Sequence, residues 1–412
     1  MSSDETREAP PPTPDAMGRT VTVDSQDGQP YVLRTIRVDQ NLRSILPEWR
    51  RCNAQFASDT VHFGDPEWLL QVFRSEQANL RAVLVERDGR LAGVAPFLLS
   101  TQPLECDLGG IRIGQIPLVR LRLLGGYPNV PDESSVYDGI FREFLRTAPD
   151  LDAVWIECLR SDSFLRRYLL SSQLIKRSFH LYRSRGPALR HVVKPVGSFA
   201  EYMQKFSAST RWHRLKEVKK LRAKGEVQLV RITSADAVDV FVQTAADISR
   251  KTYQYNLLGL GLRDLEGLKE RLRLAAERGW LRSYLLTCGP TTCAFLVSYQ
   301  YNHRFYYHEI GYDPAWRQYS VGKILILLTL DELFARDPPR TIDFGDGAGF
   351  KRELANDSYV EADYLLFRRR PYPLLAAALR RGGDLSASVT RWLLERLHAK
   401  ARLKRLLRPP RQ

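Results

Sequence analysis

The stretch with the clearest chemical sense begins where an apolar strand ends in Tyr306-Tyr307-His308-Glu309-Ile310-Gly311-Tyr312. Asp313-Pro314-Ala315-Trp316 follows, then Arg317-Gln318-Tyr319-Ser320-Val321-Gly322-Lys323, and an apolar helix runs on to about Asp337. A strand, a short loop with small residues and a helix start suit anion binding. The first-turn amides of a helix have no internal partner, and the helix dipole places partial positive charge there. Small residues let a phosphate approach the backbone, as at other phosphate-binding helix starts. Arg317 and Lys323 would add charge. An ordinary serine cap would use the same residues, and both readings stand at this point. On the strand itself, His308 and Glu309 are neighbours, so regular alternation sends them to opposite faces. Tyr306, Tyr307 and Trp316 read as core or wall aromatics. Cys288 and Cys293, either side of a turn at Gly289-Pro290, read as strand residues and not as nucleophiles.

Other chemistry finds little footing. Asp343-Phe344-Gly345 has the letters of a kinase motif, but neither a catalytic HRD loop nor a glycine-rich loop precedes it. The chain has no GxSxG elbow and no HExxH. The glycines and aspartates after Thr341 lack the spacing of a calcium loop. His303 and His308 are read on one strand with no third ligand at a useful spacing, so no metal is expected. No dinucleotide fingerprint follows any strand.

The phosphate-binding loop is similar to the acetyl-CoA loop of GNAT acyltransferases, Q/R-x-x-G-x-G/A: Arg317 fills the first position, Gly322 the last, and Ser320 replaces the first glycine. The longer run Gly311-Tyr312-Asp313, Ser320-Val321-Gly322, Asp343-Phe344-Gly345 and Phe350-Lys351 resembles the CelD-type acetyltransferases of polysaccharide-biosynthesis settings. Those are related to the Fem-type aminoacyl transferases. Val321 stands where that pattern usually has proline. The resemblance covers residues 195 to 355 well and 40 to 180 more weakly, and it includes the Arg-rich segment 209–225. It implies an α/β fold of two tandem GNAT-like domains, each a mixed β-sheet flanked by helices. It further implies acyl transfer from acetyl-CoA to an amine or hydroxyl, with no metal. The cofactor loop would be Arg317, Gln318, Tyr319, Ser320, Val321, Gly322 and Lys323. Asp343 would be a base or orient the acceptor, or simply cap the following loop. Lys351 would bind a phosphate or stabilise the oxyanion, and Glu309 or His308 would reach the thioester. Two alternatives remain open: a Fem-type transferase using aminoacyl-tRNA, and a non-catalytic scaffold in exopolysaccharide assembly.

The elements that must hold these residues alternate along the chain. A helix is expected from Asp65, with Pro66 in its first turn. A hairpin follows across Asp88-Gly89, then strands near 121 and 151–159 and a helix at 162–172. Residues 184–195, with Gly186-Pro187, read as a break between halves. Beyond it come helices at 198–206 and 210–225, a strand at 226–232, helices at 234–253 and 264–279, and a hairpin over 280–312 turning at Gly289-Pro290. The helix from Val321, a strand at 340–346 and a last strand near 361–369 close the pattern. The expected segments are a disordered stretch over 1–28, domains over 29–185 and 186–370, and a basic amphipathic or disordered tail over 371–412.

Length and charge set the outer limits. With 412 residues, two to three domains are expected. Five cysteines, odd in number and never in a CxxC pair, argue against a disulfide scaffold. The first residues lack the features of a signal peptide, and a cytoplasmic protein is expected. Of the net charge of +15, a surplus of eleven lies between Arg368 and Gln412, where thirteen residues are basic and two acidic. There Trp392, Leu393, Leu397 and Leu403 could share a helical stripe, which would lie on an anionic membrane or bind nucleic acid; a basic, partly disordered appendage with no specific partner would use the same residues. The second basic patch has seven Arg or Lys between Arg211 and Lys224. The expected acceptor is a small molecule or glycan precursor, with tRNA a partner only under the Fem-type reading.

Overall fold

The computed structural model describes residues 20–25, 27–38, 45–56, 64–108, 111–125, 127–252, 255, 261–345 and 349–396. The chain forms two compact units, one of residues 1–39, 78–186 and 362–412, the other of residues 40–77 and 187–361. The units are therefore not the contiguous halves of the sequence: residues 40–77 fold with the second, and residues 362–412 return to the first.

The first unit contains β1 (Val21–Val23), β2 (Tyr31–Arg37), β3 (Leu80–Arg87), β4 (Arg90–Leu108), β5 (Ile111–Leu123) and β6 (Ala153–Arg160), paired in that order. The Asp88-Gly89 turn has φ of 51° and 71°, the left-handed pair that a two-residue hairpin requires. Helix α3 (Ser134–Thr147) connects β5 to β6 and lies over β1, β2 and β3, burying Val136, Ile140, Phe141 and Phe144 in the core of this unit. Helices α4 (Phe164–Ser171) and α5 (Gln173–Ser178) follow, each capped by a serine side chain. One expectation changes here. Val21–Val23, inside the segment expected to be disordered, pairs with β2 and buries Val23, because a β-branched run finds a partner strand whatever the composition around it. The expected tail over 371–412 begins as a long helix, α12 (Pro371–Arg396), docked through Ala376 and Ala377. Leu397 and Leu403 lie outside the described residues, as does the side chain of Leu393.

The chain leaves the first unit within β7 (Phe179–Val193), after Gly186, and re-enters it within β13 (Asp357–Arg368), at Ala362. The break expected at 184–195 is thus a change of unit made without a loop. Pro187 is tolerated because its fixed φ falls within the range of extended backbone.

In the second unit β7 is followed by β12 (Thr341–Asp343), β11 (Arg304–Tyr312), β10 (Thr291–Tyr301), β9 (Ser283–Cys288) and β8 (Val227–Ile232). The stretch 280–312 holds three strands and not one hairpin. Its second turn is Asn302-His303, with φ of 46° and 59° at both centres, so His303 lies in a turn and not on a strand. Asparagine tolerates that conformation; histidine gave no such signal.

Two clusters pack on opposite faces of this sheet. Leu296 and Phe305 join Val321, Ile324 and Leu325 of α10 (Val321–Ala335) and Val218 and Leu221 of α7 (Ala208–Arg222). Val297, Tyr299 and Tyr306 join Phe241 and Ala245 of α8 (Val238–Arg250) and Leu272 of α9 (Leu265–Glu277). Trp68 of α2 (Pro66–Val72) completes the second cluster; Asp65 caps that helix as expected, accepting from the amides of Glu67 and Trp68. The remaining helices are α1 (Leu46–Gln55), α6 (Phe199–Met203) and α11 (Phe350–Leu354). Among the described residues no helix is long and apolar enough to cross a membrane.

Candidate active site

The residues expected to bind the cofactor lie where β11 passes into α10. Asp313 ends the strand, accepts from the Ala315 amide at 3.0 Å and binds Lys251 Nζ at 2.7 Å. A single 3-10 turn over Pro314–Tyr319 then delivers the chain to Ser320, which adopts a left-handed conformation (φ 55°, ψ 34°). The amides of Lys323 and Ile324 close on the Ser320 carbonyl, and no side chain caps the helix. The amides of Val321 and Gly322 precede the first helical bond and lie at the positive end of a 15-residue helix. A Cβ on Gly322 would meet Tyr312 Cδ1 at 3.4 Å. Arg317, Gln318 and Lys323 are exposed, Tyr319 is half-buried against Trp316, and Val321 is buried. The basic helix α7 flanks this turn: Lys220 Nζ donates to the Gln318 carbonyl at 3.1 Å and lies 5.2 Å from the Tyr319 ring centre.

Ser320 occupies the conformation for which the related loops use glycine. A left-handed non-glycine residue is strained by about 1–2 kcal/mol, of which the added freedom of glycine in the unfolded chain offsets part. Ser320→Gly is therefore expected to stabilise the protein by about 1 kcal/mol in urea unfolding; unchanged or lower stability would mean that the serine side chain has a compensating partner.

The strand before the loop is irregular, and this decides where its polar residues point. Glu309 pairs with Val297 and Tyr307 with Ser298, so His308 is an extra residue bulged out of register. Val297 and Tyr299 face α8 and α9, whereas Ile310, paired with Leu296, and Tyr307 face α10. Glu309 therefore shares the α8 face with His308, whose ring centre is 6.2 Å from that of Tyr299. Regular alternation had placed the two residues on opposite faces; the bulge brings them together. His308 is solvent-accessible yet surrounded by protein, and this burial, with the Arg271 charge, holds its imidazole below its ordinary value. Burial raises the Glu309 carboxyl above its ordinary 4.5. Gly261, at φ 102°, lets backbone pass close: a Cβ there would sit 2.6 Å from Ser249 Oγ and 3.8 Å from Glu309 Oε1.

Asp343 has a different setting. It ends β12, and its carboxylate accepts from Arg190 Nε at 2.9 Å, Arg304 Nη2 at 2.7 Å and the Gly345 amide at 2.8 Å. Arg190 also reaches Glu361 at 3.3 Å, and Arg304 donates to the Tyr359 hydroxyl at 2.5 Å. Burial by itself would raise the Asp343 carboxyl; Arg304 and Arg190 outweigh it and hold the group below its ordinary value. A carboxylate so held is a poor base, and the geometry favours an anchor that also caps the following loop. Arg190, Arg304, Tyr359 and Glu361 escaped the sequence reading, although an arginine inside an apolar strand such as 304–312 is a signal that a buried counter-charge must exist.

Strand β12 pairs with β11 only from Arg304 to Tyr306. From Tyr307 onward this edge of β11 is open among the described residues, because β12 ends at Asp343 while β11 continues to Tyr312. Lys351 lies beside this opening. Its Nζ is 5.4 Å from the Tyr307 ring centre and 3.8 Å from the position of a Cβ on Gly345. Phe344 and Phe350 also border Tyr307. The four expected catalytic residues thus do not converge: Lys351 faces the α10 side, Glu309 and His308 the α8 side, and Asp343 is locked among arginines. Cys288 and Cys293 are buried, and burial pushes the Cys293 thiol up to about 12, as befits strand residues without a nucleophilic role.

A cavity of about 420 Å³ opens between α7, α10 and α11, lined in part by His213, Arg214, Lys323 and Phe350. Arg214 gives Nη2 to Glu353 at 2.6 Å, while its buried Nη1 has no hydrogen-bond partner among the described residues. That orphaned donor, beside the first turn of α10, fits an anionic ligand.

Residues 208–352 match the family described as "Acetyltransferase (GNAT) domain". No curated protein matches the chain. Among solved structures the chain is similar to FemX, at 13% identity and a TM-score of 0.55, over 79% of this chain and 98% of that one. It also matches a tandem GNAT protein from the clavulanic acid biosynthesis pathway at 12% identity and a TM-score of 0.44, over 83% and 99% of the two chains. L-PGS from Bacillus licheniformis gives 12% identity and a TM-score of 0.44, over 77% and 96%. Over residues 208–352 the chain is similar to GNAT acetyltransferase domains, and its α/β fold is similar to that of FemX.

Proposed function

We propose that the protein transfers an acetyl or other acyl group from acyl-CoA to an amine or hydroxyl on a small molecule or glycan precursor. The observation that carries this reading is the junction of the β11 edge, left open beyond Tyr306 among the described residues, with the uncapped start of α10 at Val321 and Gly322. An extended pantetheine arm can take backbone hydrogen bonds from such an edge, and a pyrophosphate suits the helix start. Arg317, Lys323 and Arg214 would neutralise the phosphates. The thioester supplies an activated carbonyl to an acceptor held next to it. This chain's residues must align the acceptor, accept its proton and stabilise the oxyanion. In this reading Glu309 or His308, on the α8 face, takes the proton, and Lys351, on the α10 side with the helix start, binds a phosphate. The CelD-type motifs support an acceptor from polysaccharide or cell-envelope synthesis.

Calorimetric titration of acetyl-CoA into the wild type and into Gly322→Glu tests the loop. A carboxylate beside the pyrophosphate position is expected to weaken binding at least tenfold, or roughly 1.4 kcal/mol. Equal affinity in the variant would remove the loop from the site. A wild type that binds no acetyl-CoA, yet transfers from charged tRNA, would establish the Fem-type alternative; neither activity would leave a scaffold.

A further inference from the structure

Helix α12 meets the first unit along one narrow side. Ala376 and Ala377 pack there with Leu104, Leu118, Ala153 and Phe367. At 100° per residue, Leu374, Leu375, Leu379, Leu385, Val389 and Trp392 fall on the opposite half of the helix. Leu375, Leu379, Leu385, Val389 and Trp392 are between 49% and 61% exposed. Among the side chains described, Ser386 lies on that outward half, and Arg381 lies at its border. From Leu375 to Trp392 the strip runs about 26 Å. An apolar face of this length on a water-soluble surface marks an interaction site.

Charge indicates what covers it. The apolar strip lies within the segment from Arg368 to Gln412, which holds thirteen basic and two acidic residues. A second copy of the chain seated on this face would bring two such segments together, and like charges oppose that pairing. An anionic lipid surface offers both an apolar layer for the leucines and negative charge for a segment so rich in basic residues. Trp392 would sit at headgroup depth, where indoles concentrate.

We propose that α12 lies flat on anionic membranes, with Leu375, Leu379, Leu385, Val389 and Trp392 inserted among the lipids. The test is co-sedimentation of the full chain with vesicles of phosphatidylcholine alone and with added phosphatidylglycerol, at low and high salt. The wild type is expected to bind the anionic vesicles at least tenfold better than the neutral ones, and to lose that preference at high salt. Leu375→Glu, Leu379→Glu and Leu385→Glu together are expected to cut anionic binding at least tenfold. All three side chains face outward, so an unchanged circular dichroism spectrum and thermal midpoint are expected and separate lost binding from lost folding. Equal sedimentation of wild type and triple variant would overturn the proposal. So would a wild-type dimer in light scattering that the triple variant turns into monomers, because a second copy would then cover the face. Acetyl-CoA affinity should be the same in the triple variant, so this result stands or falls apart from the acyltransfer reading.

Discussion

Glu309→Gln is expected to lower kcat for acyl transfer by roughly 10²–10⁴-fold while leaving acetyl-CoA affinity nearly unchanged. The expectation comes from the bulge at His308, which turns Glu309 toward α8 and into a half-buried position where its carboxyl titrates above 4.5. A base must be deprotonated to work, so a raised value moves the acidic limb of the rate profile to higher pH than an ordinary carboxylate would. Glutamine keeps the shape and the hydrogen-bonding capacity but cannot take the proton. The acidic limb should therefore vanish in the variant along with most of the rate. His308 has the opposite shift: the surrounding protein and the Arg271 charge lower its imidazole, which favours the neutral form that can accept a proton and pass it on. His308→Ala should cost less than Glu309→Gln if the carboxylate is the primary acceptor, and more if the imidazole is. The measurement is single-turnover CoA release with an acceptor found by screening amines and alcohols. A Glu309→Gln enzyme that keeps both its rate and its acidic limb would exclude Glu309 as the base.

Much of the frame was legible because it rests on local rules. Asp65 with Pro66, the Asp88-Gly89 turn and the apolar run after Val321 each carry a signal contained within a few residues. Long-range pairing was less legible. Residues 184–195 contain Gly186-Pro187 and read as a break, yet they continue β7, since extended backbone accepts proline where no ladder bond is lost. The turn at Asn302-His303 was hidden because histidine is an unusual residue at positive φ, and the apolar strands on either side read as one.

The candidate site shows the same division. The loop from Arg317 to Lys323 was legible as a strand-to-helix turn because such a turn is a local object, and Ser320 there holds the left-handed conformation that favours glycine. The facing of Glu309 and His308 was misjudged because a bulge depends on the register of the partner strand, here between Val297 and Ser298 of β10. Nothing in residues 304–312 alone records that register. Arg190 and Arg304 come from strands more than a hundred residues apart, and only the fold brings them to Asp343.

That charged cluster carries the largest expected effect on stability. Asp343→Ala should destabilise the protein by about 3–5 kcal/mol, read as a lower urea midpoint with an unchanged slope. The Asp343 side chain is 1% exposed and that of Arg304 11%, so removing the carboxylate strands a buried guanidinium. Water cannot reach it well enough to replace the lost partner, and Tyr359 and Glu361 compensate only part of the charge. The cost therefore lies in the arginines left behind, more than in the attraction lost. Arg304→Ala introduced into Asp343→Ala should accordingly cost much less than it does in the wild type, a coupling that a double-mutant cycle reads directly. The pH dependence has a definite sign. The folded value of Asp343 is depressed, so its contribution is present above its unfolded value of 3.8 and is lost as pH falls below that through the folded value. The wild type should thus lose stability steeply in that acid range, and Asp343→Ala more gently. Additive losses in the cycle, or parallel acid profiles, would show that the cluster is not what holds β7, β11 and β12 together beside the open edge.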